Sequence, residues 1–253
     1  MSQQDLLKAS RNAWKNSQGI AENARGTSGG LYTLWNTTKI ELLNSDTRMH
    51  WIHTLLLHKD SRIQVNLINI YLPHHIEEKR ICWETLQDFL QKNELDNIIL
   101  GGDLNVTLIQ EEKRGGSIVR DPAKEWVEDI ITAWELIDIK PIKGHYTWSN
   151  KRLGPGHITA RLDRFLVQSS YLTLGFNAVA EILPHSASDN KLIWLEFKSE
   201  QGKGPIPFRF NPSWIQDKDF LKIVSSMWTG KFIGSASYVW EEKLRRLKNA
   251  LKA

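Results

Sequence analysis

The fold is decided by the stretch Ile98-Ile99-Leu100-Gly101-Gly102-Asp103-Leu104-Asn105. Its three apolar residues predict a short buried strand that ends in a glycine pair and a polar pair. A carboxylate and a carboxamide two residues apart at the carboxyl end of a strand point to the same side, where an open α/β sheet forms its site. Such a pair can hold a water molecule or an oxyanion beside a hard metal ion. Since Gly-Gly-Asp also occurs in ordinary turns, this stretch indicates a function only together with other segments.

Strands and helices alternate around this stretch. Residues 62–72 show the apolar pattern of a strand buried on both faces, and residues 78–92 place apolar side chains at helical spacing. Asp121-Pro122 is a typical helix start, and the stripe of Trp126, Ile130 and Trp134 behind it is interpreted as core packing. Further strands are predicted at 145–149, 161–167 and 192–197. This alternation predicts the α/β class.

Length and composition exclude several classes of protein. A chain of 253 residues with 41% hydrophobic and 25% charged residues can bury a sizeable core and has ordinary globular composition. No apolar run reaches the roughly 18 residues of a membrane helix, and the amino terminus is polar, so we expect an intracellular protein of the nucleus or cytoplasm without membrane contact. The single Cys82 excludes an internal disulfide and a multi-cysteine metal site.

The basic residues are concentrated at the carboxyl end. Residues 201–253 contain ten Lys/Arg and four Asp/Glu, a balance of +6, which leaves −2 for the rest of a chain whose formal charge is +4. The loop at 202–207 marks a boundary, so we divide the chain into an unpatterned segment (1–25), an α/β domain (26–200) and a basic tail (201–253). An amphipathic helix is predicted in the tail from Trp240, Leu244, Leu247 and Leu251. The tail could contact a polyanion or only present a solvated helix face.

Three further elements accompany Asp103 and Asn105 in chain order. Tyr71 ends a predicted strand, Asp163 lies in Arg161-Leu162-Asp163-Arg164, and Ser188-Asp189-Asn190 precedes the last strand. Together they resemble the endonuclease/exonuclease/phosphatase superfamily, whose members show Tyr-x-Pro, Gly-Asp-Phe-Asn, Leu-Asp and Ser-Asp-His in this order. The resemblance spans roughly residues 26–198, with Leu104 where the family usually has phenylalanine.

Additional segments point to one branch of this superfamily. Residues 111–116 (EEKRGG), 146–150 (YTWSN) and 160–166 (ARLDRFL) look like the endonuclease domain of plant non-LTR, LINE-type retrotransposons. The tail, with residues 207–214 and 239–244, is similar to the linker that precedes the reverse transcriptase of those elements. The resemblance implies a four-layered α/β sandwich with a helical tail.

The resemblance also implies a chemistry, in which Mg²⁺ polarises a phosphate while water breaks one strand of DNA. DNA is then the expected partner, no small-molecule cofactor is expected, and the oligomeric state stays open. Asp103 with Asn105 would orient the water, and Asp163 would hold the imidazole of the closing histidine. Tyr71 and Thr147 would contact the phosphate. Asp189 would be a metal ligand supported by Ser188.

The chain departs from the family at two places. Asn190 stands where the family has its closing histidine, and an amide cannot accept and return a proton near neutral pH. The family's first β-α-β unit, with its catalytic Asn and its metal-binding Glu, has no counterpart in the sequence, and neither Glu22 nor Asn23 is expected to replace it. His185 could stand in for the missing base only after a loop shift. His74-His75 is interpreted as a surface turn and not as a metal pair.

Two functions of different classes follow from these observations. The first is a Mg²⁺-dependent endonuclease domain that is degenerate and inactive, and the second is a non-catalytic module that binds nucleic acid or protein through the basic tail. An active phosphatase of the same superfamily is disfavoured by the segments at 111–116 and 146–150. Weak contacts to nucleic acid are expected from Lys113, Arg114, Lys243, Arg245, Arg246 and Lys248.

Overall fold

The computed structural model describes residues 15–23, 30–117, 121–183, 188–199, 218–230, 232 and 236–251. The chain divides into two compact units, residues 1–200 and 201–253. The strands of the first unit are β1 (Ser17–Glu22), β2 (Leu31–Asn36), β3 (Ile40–Arg48), β4 (Trp51–His58), β5 (Gln64–Tyr71), β6 (Ile98–Asp103), β7 (Lys113–Arg114), β8 (Leu136–Asp138), β9 (Trp148–Ser149), β10 (Thr159–Ala160), β11 (Asp163–Gln168), β12 (Phe176–Ile182) and β13 (Ile193–Ser199). Its α-helices within the described residues are α1 (Ile76–Asn93), α2 (Ala123–Ala133) and α3 (Ser169–Thr173).

A six-stranded sheet with the order β3-β4-β5-β6-β11-β8 forms the centre of the first unit. β5 and β6 are parallel and are connected by α1, whereas the other neighbouring strands are antiparallel. Asp103 lies opposite Tyr71 across the β5–β6 pair and opposite Asp163 across the β6–β11 pair. Because register partners point to the same face of a sheet, these three polar side chains form one row.

Helices α1 and α2 cover one face of the central sheet. Ile68 and Ile70 of β5 point into this core, which also contains buried residues of both helices. Ile130 of α2 is fully buried, and Trp126 and Trp134 pack against the same core. The predicted packing role of this tryptophan stripe is therefore confirmed.

Two smaller sheets pack on the opposite face. β1 and β2 form one antiparallel pair and β12 and β13 form another, and β2 contacts β5 while β13 contacts β11. Val65 and Leu67 of β5 belong to the apolar cluster on this side. Since side chains alternate along a strand, Asn69 and Tyr71 point the same way, and Asn69 donates a hydrogen bond to the backbone oxygen of Tyr32 at 3.1 Å. The row of Tyr71, Asp103 and Asp163 thus lies on the face that the small sheets cover.

The second unit contains the helices α4 (Lys218–Trp228) and α5 (Ala236–Ala250). The rings of Trp228 and Trp240 meet edge to face with centroids 5.3 Å apart, so the two helices pack against each other through these tryptophans. α5 includes most of the predicted amphipathic helix, whereas α4 was not predicted. Among the described residues, no helix is long and apolar enough to cross a membrane.

The α/β class and the central elements predicted from the sequence are confirmed, with two corrections. The predicted strand at 145–149 is reduced to β9, which has only two residues. Ser17–Glu22 is a strand, although the sequence predicted an unpatterned segment over 1–25; the rest of that segment, apart from residues 15, 16 and 23, lies outside the described residues. β1 escaped prediction because Gln18, Gly19 and Ala21 give it little hydrophobic alternation, and its pairing with β2 defines it instead.

Candidate functional site

Two glycines allow the strands of the polar row to lie close together. Gly102 has φ +144°, and a Cβ there would lie 1.9 Å from the backbone oxygen of Ile70. A Cβ on Gly101 would lie 2.8 Å from the ring of Phe165 in β11. The glycine pair before Asp103 is therefore required by the packing of β6 between its two neighbours.

Asp103 is the centre of the site. Its side chain is nearly buried, at 8% exposure. One carboxylate oxygen accepts a hydrogen bond from the backbone N–H of Asn105 at 2.8 Å, and the other accepts one from Nδ2 of Asn190 at 2.9 Å. Burial raises the pKa of Asp103, and these two hydrogen bonds together with the charges of His74 and Lys79 oppose the increase. The carboxylate is thus held by neutral N–H donors in a partly desolvated position.

Asp163 is the second carboxylate of the site. Burial and the nearby charge of Asp103 raise its pKa to about 6. Its Oδ1 lies 3.5 Å from Nδ2 of Asn190, and its Oδ2 is buried and has no hydrogen-bond partner among the described residues. Two carboxylates on paired strands repel when both are ionised, so Asp163 keeps its proton up to about pH 6.

Asn105 follows Asp103 in a left-handed conformation, with φ +45°, which asparagine tolerates better than most residues. Its side-chain amide donates to the backbone oxygen of Leu72 at 2.5 Å. Its own backbone oxygen accepts a hydrogen bond from Nζ of Lys79 at 2.8 Å, and this buried lysine also pairs with Asp121. These contacts fix the turn that leaves β6 and bring a positive charge next to it.

Thr147 is fully buried beside this site. Its hydroxyl oxygen accepts hydrogen bonds from the backbone N–H groups of Leu162 at 2.9 Å and Asp163 at 3.0 Å. In this structure the hydroxyl holds the start of β11, and with it Asp163, in place, and its contact with a phosphate stays a prediction.

The segment Ser188-Asp189-Asn190 supplies one residue to the centre of the site and not all three. Asn190 bridges towards both carboxylates, and the hydroxyl of Ser188 accepts a hydrogen bond from the backbone N–H of Asn190 at 3.3 Å. The side chain of Asp189 is 64% exposed and pairs with Lys151 at 2.8 Å. The predicted metal ligand is therefore an exposed, already paired carboxylate.

The described residues do not fit the Mg²⁺ ion that the resemblance implies. No group of three or more His, Cys, Asp and Glu side chains in the described ranges could hold a metal ion. A hard divalent cation is bound by several oxygen ligands, and the salt bridge to Lys151 competes for the one predicted ligand, Asp189. His185 lies outside the described residues.

A buried ionic cluster behind the site was not predicted. Arg161 and Arg164, which flank Asp163, both donate to the carboxylate of Glu112 and to that of Asp138. Although burial raises the pKa of Glu112, the hydrogen bonds and charge of Arg164 outweigh it and hold the pKa well below its usual range. The cluster ties the loop after Asp103 to the start of β11. Glu112, Arg161 and Arg164 lie in the sequence segments at 111–116 and 160–166, which were used only as parts of a resemblance, and Asp138 lies in neither segment.

A cavity of about 490 Å³ opens beside Asn105. Its walls come from the start of α1, from β7 and from β9, and they include His74, Lys79, Lys113 and Trp148. His74 and His75 are both exposed, as expected for a surface turn, but only the first of these two lines the cavity. A histidine next to the site was thus missed because its position depends on where β5 ends and α1 begins.

The basic residues predicted to contact nucleic acid have different surroundings. Arg114 is exposed on β7, while Nζ of Lys113 donates to the backbone oxygen of Ser117 at 2.9 Å. In the second unit, the side chains of Arg245 and Arg246 both pair with Glu242, and Nζ of Lys243 lies 5.5 Å from the ring centre of Trp228. The side chain of Lys248 lies outside the described residues.

Comparison with known proteins identifies the fold. No family model matches the chain, and no curated protein matches its sequence. A 3′ phosphatase from Neisseria, NExo, bound to a product DNA hairpin, matches with a TM-score of 0.57 and 14% identity over 78% of this chain and 85% of that chain. An endonuclease/exonuclease/phosphatase from Bacteroides vulgatus matches with a TM-score of 0.55 and 16% identity over 77% and 81%.

A retrotransposon protein shares the same architecture. The endonuclease domain of TRAS1, a telomere-specific non-LTR retrotransposon, matches with a TM-score of 0.53 and 13% identity over 73% of this chain and 80% of that chain. At such identities the similarity establishes the fold alone. The chain has the fold of the endonuclease/exonuclease/phosphatase proteins, which confirms the predicted resemblance at the level of architecture.

Proposed function

We propose that this chain is a DNA endonuclease domain of retrotransposon origin that keeps residues for contacting a phosphodiester and has lost most of its hydrolytic activity. The observation that carries the proposal is the 2.9 Å hydrogen bond from Nδ2 of Asn190 to Asp103. An amide donor occupies the place where hydrolysis needs a group that moves protons. The retrotransposon origin is supported by the sequence segments at 111–116, 146–150 and 160–166.

The loss of activity follows from the chemistry of phosphodiester hydrolysis. The water oxygen forms a bond to phosphorus while the bond to the leaving oxygen breaks, so one proton must leave the water and one must reach the leaving group. The Asn190 amide can carry out neither transfer near neutral pH, and it also occupies one oxygen of Asp103. The missing acid/base help amounts to roughly 10²- to 10⁴-fold in rate, or about 3 to 5 kcal/mol of barrier.

The proposed contact to phosphate uses the phenol of Tyr71 next to the positive charge of Lys79. Burial and the charge of Asp103 raise the pKa of Tyr71, so its phenol stays protonated and can donate to a phosphate oxygen. The position of this tyrosine opposite Asp103 places the phenol in the polar row. Lys79 adds a fixed positive charge behind Asn105.

Nicking of supercoiled DNA by the full chain in Mg²⁺ tests this function, with Asp103→Ala as the site variant and Asp88→Ala, an exposed helical carboxylate, as the matched control. We expect the wild-type chain and both variants to give background nicking or close to it. Clear nicking by the wild type that Asp103→Ala abolishes and Asp88→Ala preserves would show an active endonuclease and overturn the proposed loss.

The second candidate is a non-catalytic nucleic-acid-binding module. The presence of asparagine at position 190, where the resemblance implies a histidine, favours this candidate as well, because binding requires no proton transfer. Nucleic-acid binding by the basic tail, as predicted from the sequence, has less support than binding by the first unit. Glu242 already neutralises part of the charge of Arg245 and Arg246. Binding by this candidate is expected without a metal ion.

A further inference from the structure

His74 lies at the edge of the candidate site and has no role in the proposed hydrolysis. It follows β5 by three residues and precedes α1 by two. Its exposed side chain lines the cavity beside Asn105, and its charge acts on the carboxylate of Asp103. The imidazole is therefore within electrostatic reach of the centre of the site while it remains accessible to a ligand.

The cavity has the electrostatic character of an oxyanion site. Its lining includes Ile76 at the first turn of α1 and Pro122 just before the first turn of α2. The start of α1, whose N-cap residue makes no side-chain capping hydrogen bond, contributes a partial positive charge. At the start of α2, the backbone N–H of Ala123 already donates to the Asp121 carboxylate at 2.9 Å. Among the charged side chains of the lining, Lys79 and Lys113 are positive and Asp121 is negative, a balance of +1 that becomes +2 when His74 is protonated.

We propose that this cavity binds an oxyanion through His74, and that the anion is a phosphate group of a nucleotide chain or a free phosphate ion. The inference rests on the proposed function, because it assigns a binding role within the same site. Lys113 supplies a second donor from the opposite wall, and Lys79, which is paired with Asp121, supplies background charge.

The binding of an anion should depend on pH, because histidine changes its charge between pH 5 and 8. Asp103 from β6 and Asp121 just before α2 are the negative groups near the imidazole. Lys79 from α1 and Lys113 from β7 are the positive groups, while Tyr71 stays neutral. Asp163, which loses its charge below about pH 6, is a second source of pH dependence in the same range and has to be separated by a variant.

The test measures binding of dimethyl phosphate to the full chain at pH 6 and pH 8 by calorimetry. This diester keeps one negative charge over that range, so any pH dependence comes from the protein. We expect the affinity of the wild type to be about tenfold higher at pH 6, the value of one additional charged hydrogen bond. His74→Ala and His74→Gln should both lose most of this ratio.

Two control variants make the result specific. His75→Ala removes the neighbouring imidazole. His75 is the N-cap residue of α1, but its side chain makes no capping hydrogen bond and does not line the cavity. This variant should therefore bind dimethyl phosphate as the wild type does. Asp163→Asn should remove only the part of the pH dependence that does not involve His74. Equal affinity of wild type and both His74 variants at each pH would overturn the inference.

A second ligand distinguishes the source of the oxyanion. A short single-stranded oligonucleotide that shows the same loss in His74→Gln identifies the phosphate of a nucleotide chain. Inorganic phosphate or dimethyl phosphate that binds through His74, without any oligonucleotide binding, identifies a free anion, and then the proposed function fails while the oxyanion site stands. If the oligonucleotide binds equally well to the wild type and to His74→Gln, the proposed function is supported and the His74 site is contradicted.

Discussion

Nδ2 of Asn190 donates to Oδ2 of Asp103 at 2.9 Å and lies 3.5 Å from Oδ1 of Asp163. One neutral amide therefore separates two carboxylates that lie opposite each other on paired strands. The amide reduces the cost of burying Asp103, but it carries no proton that could be transferred. The site is thus arranged for holding charge and not for moving protons.

Asn190→His should not restore DNA nicking by itself. The substitution returns an imidazole to the place between the carboxylates, but the described residues still offer no cluster of three or more His, Cys, Asp and Glu side chains that could hold a metal ion. We expect the pKa of the introduced imidazole, measured by NMR, to exceed the ordinary value of about 6.5, because two carboxylates lie beside it.

Asn93→His, at the exposed end of α1, provides the matched control, and its introduced imidazole should titrate with a lower pKa than that of Asn190→His. Equal values in the two variants would mean that Asn190 does not lie between the carboxylates. Metal-dependent cleavage by Asn190→His would mean that a ligand exists that we have not identified.

Asp163 should make the protein less stable as the pH rises. Its pKa in the folded state is about 6, compared with 3.8 for the free side chain, so the folded state binds the proton more tightly. The stabilisation by this proton is complete below about pH 4 and is lost as the pH rises through 6, and its full size is about 3 kcal/mol.

The change Asp163→Asn isolates this effect, because other titrating groups are common to both proteins. Between pH 4.5 and 7.5, the free energy of unfolding of the variant minus that of the wild type should increase by about 2 to 3 kcal/mol. Urea denaturation at several pH values measures it. A difference that stays constant over this range would show that Asp163 has an ordinary pKa.

The buried cluster behind the site should be sensitive to the loss of one partner. Arg164→Met removes a fully buried guanidinium and leaves Glu112 and Asp138 with less compensation, which should cost about 3 to 5 kcal/mol in the free energy of unfolding. Lys140→Met is the matched control, since this lysine pairs with the same two carboxylates but is 53% exposed, and its loss should cost at most about 1 kcal/mol.

The double variant Glu112→Gln/Arg164→Met should be more stable than Arg164→Met alone, because it no longer leaves the Glu112 charge uncompensated. Chemical denaturation of the four proteins gives these values. If Lys140→Met cost as much as Arg164→Met, the cluster would be a surface network and not a buried one.

The sequence was sufficient for the parts of the site that local pattern determines. Asp103 and Asn105 follow a short apolar strand, and their position at its end needs no knowledge of the rest of the chain. The side-chain contact of Arg164 with Glu112 joins residues 52 positions apart, so it depends on how β11 packs against the loop after β6. The pairing of Asp189 with Lys151 likewise depends on a loop conformation that no periodicity indicates.

The salt dependence of duplex DNA binding should come at least as much from the first unit as from the second. Lys113 lines the cavity and Arg114 is exposed beside it on β7, so changing both to glutamine should reduce the slope of log affinity against log salt by up to about 1.8, or 0.9 for each phosphate contact. Changing Lys243, Arg245 and Arg246 to glutamine removes three positive charges, one more than the Lys113/Arg114 variant. The expected reduction of the slope is nevertheless no larger than for that variant. Glu242 already neutralises one of the arginine charges, and Lys243 packs over Trp228. Affinities of the full chain and both variants, measured at 50 mM and 200 mM salt, provide the comparison. If the tail variant lost its salt dependence while the Lys113/Arg114 variant kept it, the DNA contact would lie on α5.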